Sequence, residues 1–304
     1  MTKLYLITGF LGAGKTSFLH HLIPLFSGQR IALIVNEFGK TGVDGTLLRD
    51  LDVSLTEINN GSIFCTCQAG QFEKALQETA ALAPDQIFVE ASGLSDPTSI
   101  RALLSQPGLA QDLTYAGAIC LLDAVRFHKV YKTARVCRMQ LAVSDLILLN
   151  KADLATREQL DEIHAIVQVQ KPGCPVYETT FGRIDPAWLQ AMDIPADQDS
   201  AAGFHTRDIT LQKLLLEISG FDYASLTSFL KFFADDTYRI KGFVRLPEGV
   251  FLVDCVGPLV EIKPFSDPIE SPDQLVVLYG NGLPARKRIQ EACTWYPSCT
   301  VQLS

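Results

Sequence analysis

No run of apolar residues in this 304-residue chain approaches the roughly 20 needed to cross a bilayer as a helix. The first hydrophobic stretch, Leu4-Tyr5-Leu6-Ile7, is too short for a secretory leader and leads straight into a glycine-rich loop. Neither a membrane span nor a signal peptide is expected. No basic block is present: 26 Lys and Arg stand against 34 Asp and Glu, and the net charge of −8 disfavours non-specific nucleic-acid binding. The eight cysteines are scattered and form no disulfide framework, which fits reduced thiols in a cytoplasmic protein. Cys120 and Cys255 lie in apolar strand-like runs and read as core residues. Histidine is scarce; His20 and His21 adjoin on a helix and so do not face one ligand, and no His-rich loop exists. The chain also lacks internal repeats and low-complexity tracts.

What is present begins at Gly9. The segment Gly9-Phe10-Leu11-Gly12-Ala13-Gly14-Lys15-Thr16 fits the phosphate-binding pattern G-x-x-x-x-G-K-[ST]. A buried-strand run precedes it, and Leu19, Leu22, Ile23 and Phe26 follow at helical spacing until Ser27-Gly28. Strand, glycine loop and helix start turn several backbone N–H groups toward one point at the positive end of a helix dipole. A nucleoside triphosphate suits that point: Gly12, Ala13, Gly14, Lys15, Thr16 and Ser17 surround the phosphates, Lys15 reaches the β/γ-phosphates, and the Thr16 hydroxyl goes to Mg²⁺. A tight glycine turn without ligand is the competing reading, and the strand–helix context weighs against it.

A second strand run, Asp145–Leu149, ends in Asn150-Lys151-Ala152-Asp153. The pattern N-K-x-D at the carboxyl end of a strand suits guanine. The Asp153 carboxylate can accept from N1–H and the 2-amino group, while the Lys151 stem lies along the ring. Adenine offers neither donor and would leave a carboxylate unpaired. A polar strand-to-helix turn is the plainer alternative.

Residues 1 to about 180 alternate strands and helices. Strands are expected at 4–8, 30–36, 53–58, 86–91, 114–123, 145–150 and 175–179, with helices at 70–82, 97–105 and 156–169 among others. Such alternation implies an α/β P-loop NTPase domain, a mostly parallel sheet covered by helices on both faces. Ligand sites in that architecture gather at the carboxyl ends of strands. The loop Gly9–Thr16 and the clusters Asn36-Glu37-Phe38-Gly39, Glu90-Ala91-Ser92-Gly93 and Asn150–Asp153 each follow a strand, which makes one site of them. An acidic, apolar-poor passage at 184–204 reads as a linker between a domain at 1–183 and a smaller α+β domain at 205–304. There, strands are expected at 205–211, across 237–263 and at 275–280, with helices at 222–234 and 284–294. Tyr238, Ile240, Val244 and Leu246 share one strand face; Arg239, Lys241 and Arg245 share the other, a solvated face or, in the sharper reading, a docking surface.

With Glu90-Ala91-Ser92-Gly93-Leu94-Ser95-Asp96-Pro97, Tyr238-Arg239-Ile240-Lys241-Gly242-Phe243 and Leu278-Tyr279-Gly280-Asn281 added to these motifs, the sequence resembles the CobW-type GTPase family over nearly its whole length. That family is related to the nickel-insertion GTPases. The resemblance implies slow GTP hydrolysis coupled to metal delivery, or to assembly of a metal- or cobalamin-dependent client enzyme, with a nucleotide-dependent homodimer as one arrangement. It implies Glu90 as the Walker B acid that holds Mg²⁺, with Gly93 in a second switch segment and Glu37 and Asp44 on the first. Glu37 would position the attacking water or a transition metal, Asp44 the magnesium. Lys15, Glu37 and Glu90 thus carry catalysis, and Thr16, Asp44 and Glu90 the magnesium.

The sequence departs from the family at its metal signature. Cys-x-Cys-Cys usually follows an Asn-Gly there, whereas Asn60-Gly61 is followed here by Ser62-Ile63-Phe64-Cys65. Cys65 and Cys67 form a Cys-x-Cys pair whose thiols share one side of an extended segment, and thiolates suit Zn²⁺ or Cu⁺. Two ligands cannot close a tetrahedral site. Glu37 or a second subunit would have to complete it. A redox or structural pair is the alternative, and with it a metal-free GTP-driven switch. A P-loop small-molecule kinase is a third reading, for which no Arg-rich lid is evident.

Overall fold

The structure, a computed structural model, describes residues 1–37, 54–59, 69–98, 100–104, 113–190, 192, 211–266, 269, 272–280 and 282–303. Two compact units emerge: Met1–Tyr131 with Arg135–Arg207, and Asp208–Ser304 with Lys132–Ala134.

The first unit is built on a seven-stranded sheet: β1 (Thr2–Gly9), β2 (Ile31–Glu37), β3 (Ser54–Asn59), β4 (Gln86–Glu90), β5 (Leu113–Asp123), β6 (Leu146–Asn150) and β7 (Val176–Glu178). Their order is β3-β2-β4-β1-β5-β6-β7, and every pairing is parallel. Parallel strands need crossover helices, and these cover both faces, so the strands are apolar on both sides rather than alternating. Period-two alternation then divides each strand between two cores. Leu4 and Leu6 join Ile34, Phe72, Leu76, Ile87 and Val89 on one face. Tyr5 and Ile7 join Phe18, Leu19, Leu22, Phe88 and Leu148 on the other. The helices are α1 (Lys15–Leu22), α2 (Ala69–Ala81), α3 (Ile100–Leu104), α4 (Phe127–Thr133), α5 (Arg135–Val143), α6 (Arg157–Gln170) and α7 (Pro186–Gln190). Thr156 starts α6 with a capping box, its hydroxyl accepting from Gln159 N while the Gln159 side chain accepts from Thr156 N. Ile184, Trp188, Leu189 and Met192 pack against the second core, and Trp188 stacks on Tyr177 with ring centroids 4.5 Å apart. The first part of the passage expected to be a linker therefore packs on this unit, and most of the remainder lies outside the described residues.

The second unit carries a six-stranded sheet in the order β11-β10-β9-β12-β8-β13, antiparallel throughout. Its elements are β8 (Leu211–Ser219), α8 (Tyr223–Phe233), β9 (Arg239–Leu246), β10 (Gly249–Val256), β11 (Leu259–Pro264), β12 (Gln274–Gly280), α9 (Ala285–Cys293) and β13 (Thr300–Leu303). Leu226, Phe229, Leu230 and Phe233, at i, i+3, i+4 and i+7 of α8, bury against Leu216, Ile240, Val244 and Val277 of the sheet. Arg239, on the opposite face from Ile240 and Val244, pairs with Asp254 at 2.9 Å. The strand expected at 205–211 lies, but for Leu211, outside the described residues; a strand is described over Leu211–Ser219, where Leu214, Leu216 and Ile218 alternate inward. The short β13 also closes the β8 edge, which the sequence reading did not foresee. No helix among the described residues is long and apolar enough to cross a membrane.

Candidate functional site

Because all strands of the first sheet are parallel, their carboxyl ends share one edge. Gly9 ends β1, Glu90 ends β4, Asp123 ends β5 and Asn150 ends β6. Register fixes their levels: Ile7 pairs with Glu90, Gly9 with Leu121, and Asp123 with Asn150.

The glycine loop turns back on itself through Ala13 N donating to Phe10 O at 3.1 Å. Gly14 caps α1 in the left-handed region (φ 97°), and the first helical bond is Phe18 N to Gly14 O. The N–H groups of Lys15, Thr16 and Ser17 therefore lie in the first turn, at the positive end of α1. Lys15 is 8% exposed and donates from Nζ to Gly9 O at 3.0 Å, arching across the loop. Thr16 is half-buried and Ser17 exposed at the same helix start. Backbone donors, a dipole's positive end and a confined ammonium together fit a polyphosphate.

Asn150 joins this cradle to the turn that carries Lys151 and Asp153. Its side chain is buried; Nδ2 donates to Ala13 O at 2.8 Å and Oδ1 accepts from Gly182 N at 2.9 Å. Lys151 takes a left-handed φ of 61° and donates to Asp123 Oδ2 at 2.6 Å. The other Asp123 oxygen accepts from Val125 N and Arg126 N, so the Lys151 partner is itself fixed. Asp153, in the short turn Ala152–Leu154, stays exposed.

Glu90 is 4% exposed, between β1 and β2, where a carboxylate suits a cation. The segment after it is clamped from three sides. A Cβ on Gly93 would stand 2.7 Å from Leu11 N, so only glycine allows this approach to the phosphate loop. Ser95 Oγ donates to Asn36 Oδ1 at 3.4 Å. Gln140 of α5, 1% exposed, donates from Nε2 to Gly93 O (3.1 Å) and Ser95 O (3.3 Å).

The backbone of Glu37 ends β2, opposite Asn59. Its side chain, Asp44, Cys65 and Cys67 lie outside the described residues. Among those described, no three His, Cys, Asp or Glu side chains converge as a metal site. Burial pushes the Cys120 and Cys255 thiols up to about 12, which fits core residues. Sequence reasoning missed Asp123, Gln140 and Gly182. Asp123 was findable as an acid closing an apolar strand, as Glu90 does. Gln140 interrupts the apolar stripe Val136, Cys137, Leu141 of α5. Gly182 gave no signal, since its role comes from Asn150 far away in the chain.

A parallel sheet whose first strand opens into this loop and helix defines a P-loop nucleotide-binding fold. Residues 3–178 match the model of the CobW/HypB/UreG nucleotide-binding domain, and residues 219–293 match the cobalamin synthesis protein CobW C-terminal domain. The chain belongs to the CobW/HypB/UreG family. It is 33% identical over 187 residues to the zinc chaperone YjiA of Escherichia coli (strain K12), a match covering 59% of this chain and 58% of that protein. It is 27% identical over 309 residues to the zinc chaperone YeiR of the same organism, covering 91% and 93%. Among solved structures, Zn(II)-bound YjiA GTPase from E. coli aligns with a TM-score of 0.48 at 22% identity, covering 97% of this chain and 98% of that one.

Proposed function

We propose that this protein is a GTP-hydrolysing metal chaperone that serves a metal- or cobalamin-dependent client protein. One observation carries the nucleotide half: Asn150 ties the turn bearing Lys151 and Asp153 to the phosphate loop, so base reader and phosphate cradle form one site. Asp153 accepts from guanine N1–H and the 2-amino group, and Lys15 with the α1 N–H groups holds the phosphates. Thr16, Glu90 and Asp44 would hold Mg²⁺, which when bound neutralises charge on the β- and γ-phosphates. Glu37 would position the attacking water. Gly93 gives the phosphates close access to the backbone, so Ser92–Pro97 responds to the γ-phosphate as Asn36–Asp44 does. With no catalytic arginine or glutamine in these motifs, turnover is slow, on the order of 10⁻⁴–10⁻² s⁻¹. A partner or a nucleotide-dependent homodimer raises it.

The metal half rests on YjiA and YeiR being named zinc chaperones. Cys65 and Cys67, with Glu37, are the zinc ligands of this reading. Ser62 and Phe64, at two of the family's cysteine positions, favour a second reading, a GTP-driven switch that carries no metal.

Competition against a fluorescent GDP tests the first half. Wild type should prefer GTP strongly over ATP, and Asp153→Asn should move that preference toward xanthosine triphosphate; equal ATP and GTP binding would refute the guanine assignment. Zn²⁺ titration with GDP, with a non-hydrolysable GTP analogue, and in Cys65→Ser/Cys67→Ser tests the second. Nucleotide-dependent affinity lost in the double variant supports the carrier, and by linkage zinc would then shift nucleotide affinity by the same factor. Equal weak binding in all three would leave the metal-free switch.

A further inference from the structure

The base end of the site has a wall that none of the sequence motifs names. After β7 the chain forms a loop, Thr179-Thr180-Phe181-Gly182-Arg183, fastened at both ends to nucleotide-binding elements. Thr179 N donates to Leu149 O at 2.9 Å, and Thr179 O accepts from Ala152 N at 3.1 Å. Three residues on, Gly182 N donates to Asn150 Oδ1 at 2.9 Å. The Gly182 Cα is so close to α1 that an added Cβ would lie 2.7 Å from Phe18 N and Cα. The loop also closes on itself, through Thr179 Oγ1 to Arg183 O at 2.6 Å and Arg183 N to Thr180 O at 3.1 Å. Phe181 at its tip is therefore held beside the Asn150–Asp153 turn.

Phe181 is placed there against two local preferences. Its φ of 54° is left-handed, a region that glycine or asparagine adopts more readily than an aromatic residue. Its ring is 70% exposed, so the strained backbone is not offset by burial in the core. Strained, solvent-facing side chains on rigid loops concentrate at ligand clamps. The neighbouring Lys151 shares the left-handed backbone, and its ammonium is pinned on Asp123, which leaves its aliphatic stem as a fixed surface next to Asp153.

We propose that Phe181 is a base-stacking residue, whose ring covers a face of the purine nucleobase read by Asp153. The inference rests on the guanine-nucleotide reading above and deepens it. Every base has a π-face, so stacking supplies affinity without choosing the base; Asp153 supplies the choice. The two contributions are therefore separable.

The experiment measures Kd for GDP, GTP and ATP in wild type, Phe181→Ala, Phe181→Leu and Phe181→Trp. Truncation to alanine should weaken GDP and GTP together by about tenfold, in the range of single base–aromatic stacks, with the GTP:ATP ratio unchanged. Leucine keeps apolar bulk but no π-face and should fall between alanine and wild type. Tryptophan should retain affinity and add nucleotide-quenched indole emission over the wild-type background of Trp188 and Trp295. Guanine-selective wild type with unchanged affinity in alanine, or with leucine equal to wild type, would overturn the stacking role alone. So would the absence of added quenching in the tryptophan variant. A wild type that binds no guanine nucleotide would overturn the underlying reading instead.

Discussion

Replacing Asn150 by alanine removes two buried hydrogen bonds at once and leaves Ala13 O and Gly182 N without the partners they have now. Each orphaned buried group costs about 1–3 kcal/mol, so the pair costs roughly 2–6; the desolvation that asparagine no longer suffers offsets part, leaving about 3 kcal/mol. For a unit of this size, 1 kcal/mol corresponds to about 2–4 °C, so calorimetry of the nucleotide-free protein should show the first unit melting roughly 6–12 °C lower. Asn150→Asp sharpens the test, because it keeps an acceptor for Gly182 N but faces Ala13 O with an oxygen. Near neutral pH that oxygen is anionic and repelled. Burial and the facing carbonyl raise the folded-state pKa of the introduced carboxyl above its unfolded value of about 3.9. The sign follows: full stability below that unfolded value, where an O–H donor restores the bond to Ala13 O, and loss as pH rises through the folded-state pKa. A melting point for Asn150→Ala within 2 °C of wild type, or an Asn150→Asp penalty independent of pH, would refute the claim that this side chain joins the two loops.

Gln140→Leu fills similar space but withdraws the donor from Gly93 O and Ser95 O, and should cost about 1–3 kcal/mol in thermal unfolding; an unchanged melting point would mean the clamp is ornamental. Gly93→Ala drives a methyl into Leu11 of the phosphate loop, so nucleotide affinity measured by calorimetric titration should fall by more than tenfold, while wild-type affinity would show the loop can yield. The Cys120 and Cys255 thiols stay protonated in the fold up to about 12, whereas unfolded thiols ionise near 8.5. Stability should therefore hold below about pH 8.5 and decline above it; urea titrations showing no alkaline decline, or one unaltered in Cys120→Ala/Cys255→Ala, would contradict this.

Much of this architecture was legible because burial on both faces forces continuous apolar strands, and such runs are hard to mistake. The five inner strands of the first sheet, β2, β4, β1, β5 and β6, fall where Leu, Ile, Val and Phe cluster; the edge strands β3 and β7 hold fewer such residues. The polar residues closing those strands were legible for the same reason: in a parallel sheet they share an edge. Contacts created only by folding were not legible. Gln140 looks like a flaw in the apolar stripe of α5 until Gly93 and Ser95 are placed beside it. Phe181 and Gly182 carry no motif, and their position depends on a side chain about thirty residues earlier.

The Lys151–Asp123 pair has a consequence for ionic strength. Lys151 meets its counter-charge at 2.6 Å, on a carboxylate that is itself nearly buried, so the surface it would offer a nucleobase in the proposed reading is hydrocarbon with its charge already answered. Dissolved salt has little to screen at that end of the site. At the other end, in the proposed nucleotide reading, Lys15 and the positive end of α1 would meet phosphates, where screening acts directly. Rising salt should therefore loosen a bound nucleotide by its phosphates, while the preference among bases stays where it was.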